Sequence, residues 1–153
     1  MARSRMFHFP NISIVEADIK VNVNLDRFEK QFQDAQLWLD EQVWTGTKKY
    51  IPQRDGMLID TTSVQNESLK GSGKVYAGYG PYARFLYMGK VMVDPETGSP
   101  WARPKAKKVV TDRDIQFSKE PNPFATDHWF DSAKDEFCDT WVKGVKKRAG
   151  GGW

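Results

Sequence analysis

A chain of 153 residues, 39% of them hydrophobic, is long enough to close one core and too short for two. Its 23 basic and 20 acidic residues leave a net charge of only +3, which argues against a dedicated nucleic-acid binder. A single cysteine, Cys138, excludes an internal disulfide and any cysteine-rich zinc site.

The N-terminal stretch MARSRMFHFPNISIVEADIK has two arginines but no uninterrupted apolar run after them, so neither a signal peptide nor a membrane span is expected. Residues 1–17 are read as an arm. Over 12–23 the pattern becomes a strand: Ile19, Val21 and Val23 fall on one face, Lys20, Asn22 and Asn24 on the other. Asn24 stands where a helix N-cap belongs. A helix over 25–44 follows, with Phe28, Phe32, Ala35, Leu39 and Val43 in one core-facing stripe and Leu25 at its edge. Leu37 and Trp44 fall on the opposite side, either as a second contact face for a subunit or an arm, or as isolated surface residues. Gly46 is expected to end this helix.

Pro52 and the Asp55-Gly56 turn mark a connector. Strands are expected at 57–69 and 72–79, joined as a hairpin through Gly71-Ser72-Gly73. PYARFLYMG reads as a short helix from Pro81 to Gly89. Residues 90–123 hold a short strand (Val91 to Val93), a turn (Asp94, Pro95, Gly98), the basic run Arg103 to Lys108, and Val109-Val110. The stretch reads as an extended hairpin-like loop, with disorder as the alternative; connections this long are uncommon without a functional reason. A last helix spans about 127–147, capped by Thr126 or Asp127, with Phe130, Ala133, Phe137, Trp141 and Val145 as its apolar stripe. Residues 149–153 form a flexible tail. The sum is one α+β domain: a small antiparallel sheet against a long N-terminal helix and a C-terminal helix.

Residues suited to bond-breaking chemistry are scarce. His8 lies in the terminal arm, and His128 has only Ser132 near it in the helical register, with no nucleophile elbow around the pair. The two histidines lack metal-ligand spacing, and the glycine pairs near Gly71 and Gly78 lack the context of a dinucleotide site. Neither an enzyme nor a cofactor is expected. The run WARPKAKK places Arg103, Lys105, Lys107 and Lys108 beside Trp101, so a nucleic-acid-binding accessory protein is the alternative to an assembly role. With six Trp in the chain, either all serve core and boundary or some face protein partners.

The order strand, long helix, YIPxxDGxL (Tyr50, Ile51, Pro52, Asp55, Gly56, Leu58), then GPYARFLYMGKVM resembles the minor capsid and head–tail joining proteins of long-tailed bacteriophages. The stretch TGSPWARPKAKKVVTDRDIQFSKEPNPFATDHWFDSAK is similar, almost throughout, to the minor capsid subgroup from phages of Gram-positive bacteria. Asp55-Gly56 stands where the broader tail-completion family has Thr-Gly, and Met88-Gly89 where Glu/Phe-Gly is usual. The resemblance implies Pro52, Gly56, Tyr82, Ala83, Gly89, Pro123, Phe124, Trp129 and Phe130 as fold signature. It also implies a virion protein of the neck, made in the host cytoplasm, whose ring of sixfold or twelvefold symmetry joins the head connector to tail-terminator or tail proteins around the DNA passage. Contact residues would be Leu37, Trp44, Trp101 and the basic run.

Overall fold

The computed structural model describes residues 7–150. The start of the expected arm and the last three residues of the expected tail lie outside the described residues. In chain order the elements are β1 (Ile12–Glu16), β2 (Ile19–Val23), α1 (Asp26–Lys48), α2 (Met57–Leu69), α3 (Ala83–Met88), β3 (Lys90–Val93), β4 (Val109–Asp114) and α4 (Trp129–Arg148). The class is α+β. Instead of one sheet there are two separate antiparallel pairs, β1–β2 and β3–β4.

Helices α1 and α4 form the body and run antiparallel. Near the end of α1, a Cβ on Gly46 would meet the Phe137 and Trp141 rings, while towards its start Trp38 lies against Gly144. A side chain on Gly144 would overlap the Trp38 indole, so glycine there is what lets the helices approach. Arg148 stacks its guanidinium 4.0 Å from the centroid of the same indole. Gly46 does not end α1, which continues to Lys48; its lack of a side chain makes room for α4. Asn24 accepts the Asp26 amide at 2.8 Å, but the cap position of α1 falls one residue later, on Leu25, whose apolar side chain makes no capping bond.

The principal core joins Trp44, Ile51 and Trp129, with Tyr50, Leu58, Ile59, Val75, Ala77, Leu86 and Tyr87 around them. Trp129 is fully buried and donates its indole N–H to the Ala77 carbonyl at 2.7 Å. The expected stripe of α1 is displaced: Ala35 is buried, but Phe28 is 49% exposed. Phe32 takes the rings of Phe7 and Phe9 at 5.6 and 5.7 Å, so the terminal arm covers this end of α1. Phe9 N–H donates to Glu29, and the His8 ring lies 2.9 Å from the same carboxylate.

The expected strand over 57–69 is helix α2, and the expected hairpin is not formed. Leu58, Thr62 and Asn66 share a helical face at four-residue spacing, a period that overrides the β-branched composition. The Thr61 and Thr62 hydroxyls bond back to the carbonyls of Met57 and Leu58, which satisfies them within the helix. Residues 74–79 run without a strand partner, and helix side chains supply their hydrogen bonds instead. Asn66 donates to the Tyr76 carbonyl (3.0 Å) and accepts its amide (2.7 Å), while Thr62 accepts the Tyr79 amide (2.9 Å). Gly71 and Gly73 are not a hairpin turn but donate to the buried Asp40 carboxylate of α1 at 2.8 and 3.0 Å. Helix α4 begins after His128, at φ 41°, and neither Thr126 nor Asp127 caps it with a side chain. His128 N–H instead donates to the Tyr87 carbonyl, tying the helix start to α3.

Candidate functional site: a loop built on a buried aspartate

The loop between β3 and β4 is ordered by one carboxylate. Asp94 is fully buried and gathers the amides of Glu96 (2.9 Å), Thr97 (3.3 Å) and Arg103 (3.0 Å), plus the Arg103 Nε–H (3.0 Å). Its own amide donates to the Ser99 carbonyl and its carbonyl accepts the Gly98 amide, closing the turn. Those bonds, first the amides of Arg103 and Glu96 and then the guanidinium, hold the carboxyl well below the usual carboxylate range. Arg103 spans Asp94 and Glu96, and the two carboxylates raise its own pKa.

Trp101 stands on this frame 82% exposed, the largest apolar side chain the loop turns outward. Lys105 and Lys107 are exposed and Lys108 is half-buried; among the described residues none of the three has an acidic partner. The basic run thus divides: Arg103 is a structural member of the loop, and the lysines are its free charge. At the base of the hairpin, Lys90 pairs with Asp114 at 2.5 Å, raising the lysine pKa.

The other expected contact residues lie elsewhere. Trp44 is only 9% exposed and sits in the core, and Leu37 is half-buried under the turn at Gly71. That side of α1 is covered by α2 and by the segment after it, so the surplus apolar residues on α1 are explained within the chain. The expected signature residues cluster around the body. Ala83 is buried under Gly78, Tyr82 is exposed at the start of α3, and Phe130 and Pro52 are half-buried. Gly56 precedes α2 in the left-handed region. Gly89 ends α3 at φ 70°, where a Cβ would also strike Asp127; its carbonyl accepts the Ile115 amide, fastening the hairpin to the body.

Pro123 is exposed and Phe124 half-exposed. The Phe124 ring lies edge-on to Tyr50, and the Lys49 ammonium stands over it at 4.8 Å. Lys49 also bonds Glu136 (2.7 Å), which accepts the Tyr50 hydroxyl. Those contacts lower the Glu136 pKa and raise those of Lys49 and Tyr50. Asn122, not anticipated from sequence, is buried and donates to the carbonyls of Lys49 and Ile51, both at 2.9 Å. Its signal was an Asn-Pro pair, which reads as a turn and not as a clamp on α1. Asp40 and Asn66 give no signal, and Asp94 reads only as a turn residue, for the same reason: a polar residue bears no mark of burial until its partners fold around it.

His128 and Ser132 fall in one helical turn joined by a backbone bond, and Cys138 is half-buried and free. Among the described residues no cluster of His, Cys, Asp or Glu could hold a metal ion, and no helix is long and apolar enough to cross a membrane. Comparison with protein-family models, with curated proteins and with solved structures finds no match to this chain.

Proposed function

We propose that this protein is a structural subunit of the neck of a long-tailed bacteriophage, forming a ring that joins the head connector to the tail and lets DNA pass. The observation that carries the reading is Trp101, 82% exposed on a loop that a buried aspartate holds in shape. Exposing an indole to water has a cost, and fixing it on a rigid frame makes sense where another protein covers it. The resemblance of residues 97–134 to the minor capsid subgroup supports the same assignment. The nucleic-acid alternative has less to draw on. With Arg103 engaged by Asp94 and Glu96, three lysines remain, enough for only a few salt-sensitive phosphate contacts.

The test is Trp101→Ala. The isolated variant is expected to melt at the wild-type temperature, because the ring packs on little, while its incorporation into purified particles falls. A lost cooperative transition, or undiminished incorporation, overturns the role of Trp101. Tight, salt-sensitive DNA binding by a monomer absent from particles overturns the neck assignment.

A further inference from the structure

The loop that carries Trp101 is left with an excess of positive charge. Both of its acidic residues, Asp94 and Glu96, are engaged by Arg103, while Lys105, Lys107 and Lys108 have no acidic partner among the described residues. Lys105 is held at φ 65°, in the left-handed region that a long side chain rarely adopts, and the Ala106 N–H donates to the Arg103 carbonyl to fix that turn. Strain of this kind persists where the surrounding structure dictates it. Here it sets an exposed cation four residues from the exposed indole.

A cavity of complementary character lies at the start of α1. It encloses about 420 Å³, and among the described residues its walls are Phe7, Asp26, Glu29, Lys30, Gln33 and Asp34. Glu29 is occupied by the Phe9 amide and the His8 ring. Asp26 and Asp34 are exposed, and their carboxylates have no basic partner among the described residues. Gln33 donates to the Gly71 carbonyl at 2.9 Å and buries a side-chain oxygen that no described group satisfies. Three carboxylates against one ammonium make the cavity acidic, Phe7 gives it an aromatic wall, and its volume suits a small aromatic group.

The two features sit apart within one chain. The β3–β4 hairpin that carries the loop is rooted at the far end of α1: Gly89 abuts Asp127, and Thr126 N–H donates to the Tyr50 carbonyl just past the helix. The 23 residues of α1 separate its two ends by about 34 Å. Trp101, 82% exposed, does not fill the cavity of its own chain.

We infer that the loop of one copy docks in this cavity of a second copy, with the Trp101 ring against Phe7 and the loop lysines facing Asp26 and Asp34. An indole suits the site, because its face takes apolar contact and its N–H is a donor for the Gln33 oxygen. Loop and cavity are different patches, so copies join head to tail, the geometry that generates a ring when the rotation closes. The inference rests on the ring reading above and names the two surfaces that make the ring.

Charge reversal in the full chain tests it by light scattering. Lys105→Glu/Lys107→Glu inverts the loop, and Asp26→Lys/Asp34→Lys inverts the cavity rim. Wild type is expected to be larger than a dimer, and each variant alone monomeric with an unchanged helical melt. In an equimolar mixture each loop meets a cavity of opposite charge only on the other variant, so oligomers of wild-type size should return. Variants that keep the wild-type size, or a mixture that stays monomeric, overturn the contact and leave the neck assignment standing. So does a wild-type chain that is monomeric at about 100 μM yet present in particles. If the lysine variant keeps its size but loses retention of duplex DNA, the loop is a phosphate contact and the docking is overturned. Oligomers restored in the mixture, with no wild-type chain in particles, keep the contact and overturn the neck assignment. Asp26→Lys removes a carboxylate from the first turn of α1. Should that lower the helical melt, Asp34→Lys alone takes its place, and an undiminished oligomer in that variant overturns the contact.

Discussion

Asp94 decides whether the loop that carries Trp101 has a shape. One buried side chain answers four donors that the chain would otherwise leave unmet between Glu96 and Arg103. Because these bonds favour the ionised form, its folded pKa lies below the unfolded value. The sign follows: the contribution is fully present above about pH 4, the ordinary carboxylate range, and is lost as pH falls through the lower folded value. In Asp94→Ala the amides of Glu96, Thr97 and Arg103 should exchange with solvent at least about tenfold faster at neutral pH. Unchanged exchange at Arg103 would remove Asp94 from this role. In the wild type the same amides should stay protected at pH 5 and lose protection only under strong acid.

Among the elements, α2 and the segment after it show how side chains can replace a strand. Asn66 offers Tyr76 both a donor and an acceptor, as a neighbouring backbone would, from the flank of a helix. Asn66→Ala leaves the Tyr76 amide and carbonyl without these partners, at a cost of about 1–3 kcal/mol in a denaturant titration. The Tyr76 amide should lose protection in the same variant. If stability falls while Tyr76 stays protected, the segment is held by Val75 and Ala77 in the core and not by Asn66.

For the molecule as a whole, Trp129 is the joint. It buries its ring against the end of α1, binds the Ala77 carbonyl after α2, and meets the Tyr87 ring of α3 edge-on at 4.9 Å. Trp129→Ala should cost about 3–5 kcal/mol, measured as the loss in unfolding free energy. Because three helices meet this indole, the loss should appear in one cooperative transition. A separate early transition of α3 and the β3–β4 hairpin would mean that they fold as their own unit.

Local pattern was enough for what depends on near neighbours: the long helix after Asn24, the short one ending at Gly89, the β3 strand and the final helix; of the hairpin-like loop expected over 90–123, the hairpin itself takes only 90–114. Helical period, turn residues and caps act over a few positions, so the chain itself records them. It was silent where partners lie far apart in sequence. Trp44 reads as an outward residue until α2 covers it, because the β-branched composition of 57–69 reads as strand and the four-residue spacing that marks the helix runs through Thr62 and Asn66, polar residues that show no burial until they bond the segment after the helix. The basic run reads as one patch until Asp94 claims Arg103. The two-residue alternation in Ile19 to Val23 identified an apolar strand face, but only the tertiary structure left that face bare and set the cavity beside Asp26 at the opposite end of α1 from the root of the β3–β4 hairpin. That placement follows from the antiparallel packing of α1 and α4, whose close contacts at Gly46 and Gly144 form between residues roughly a hundred positions apart.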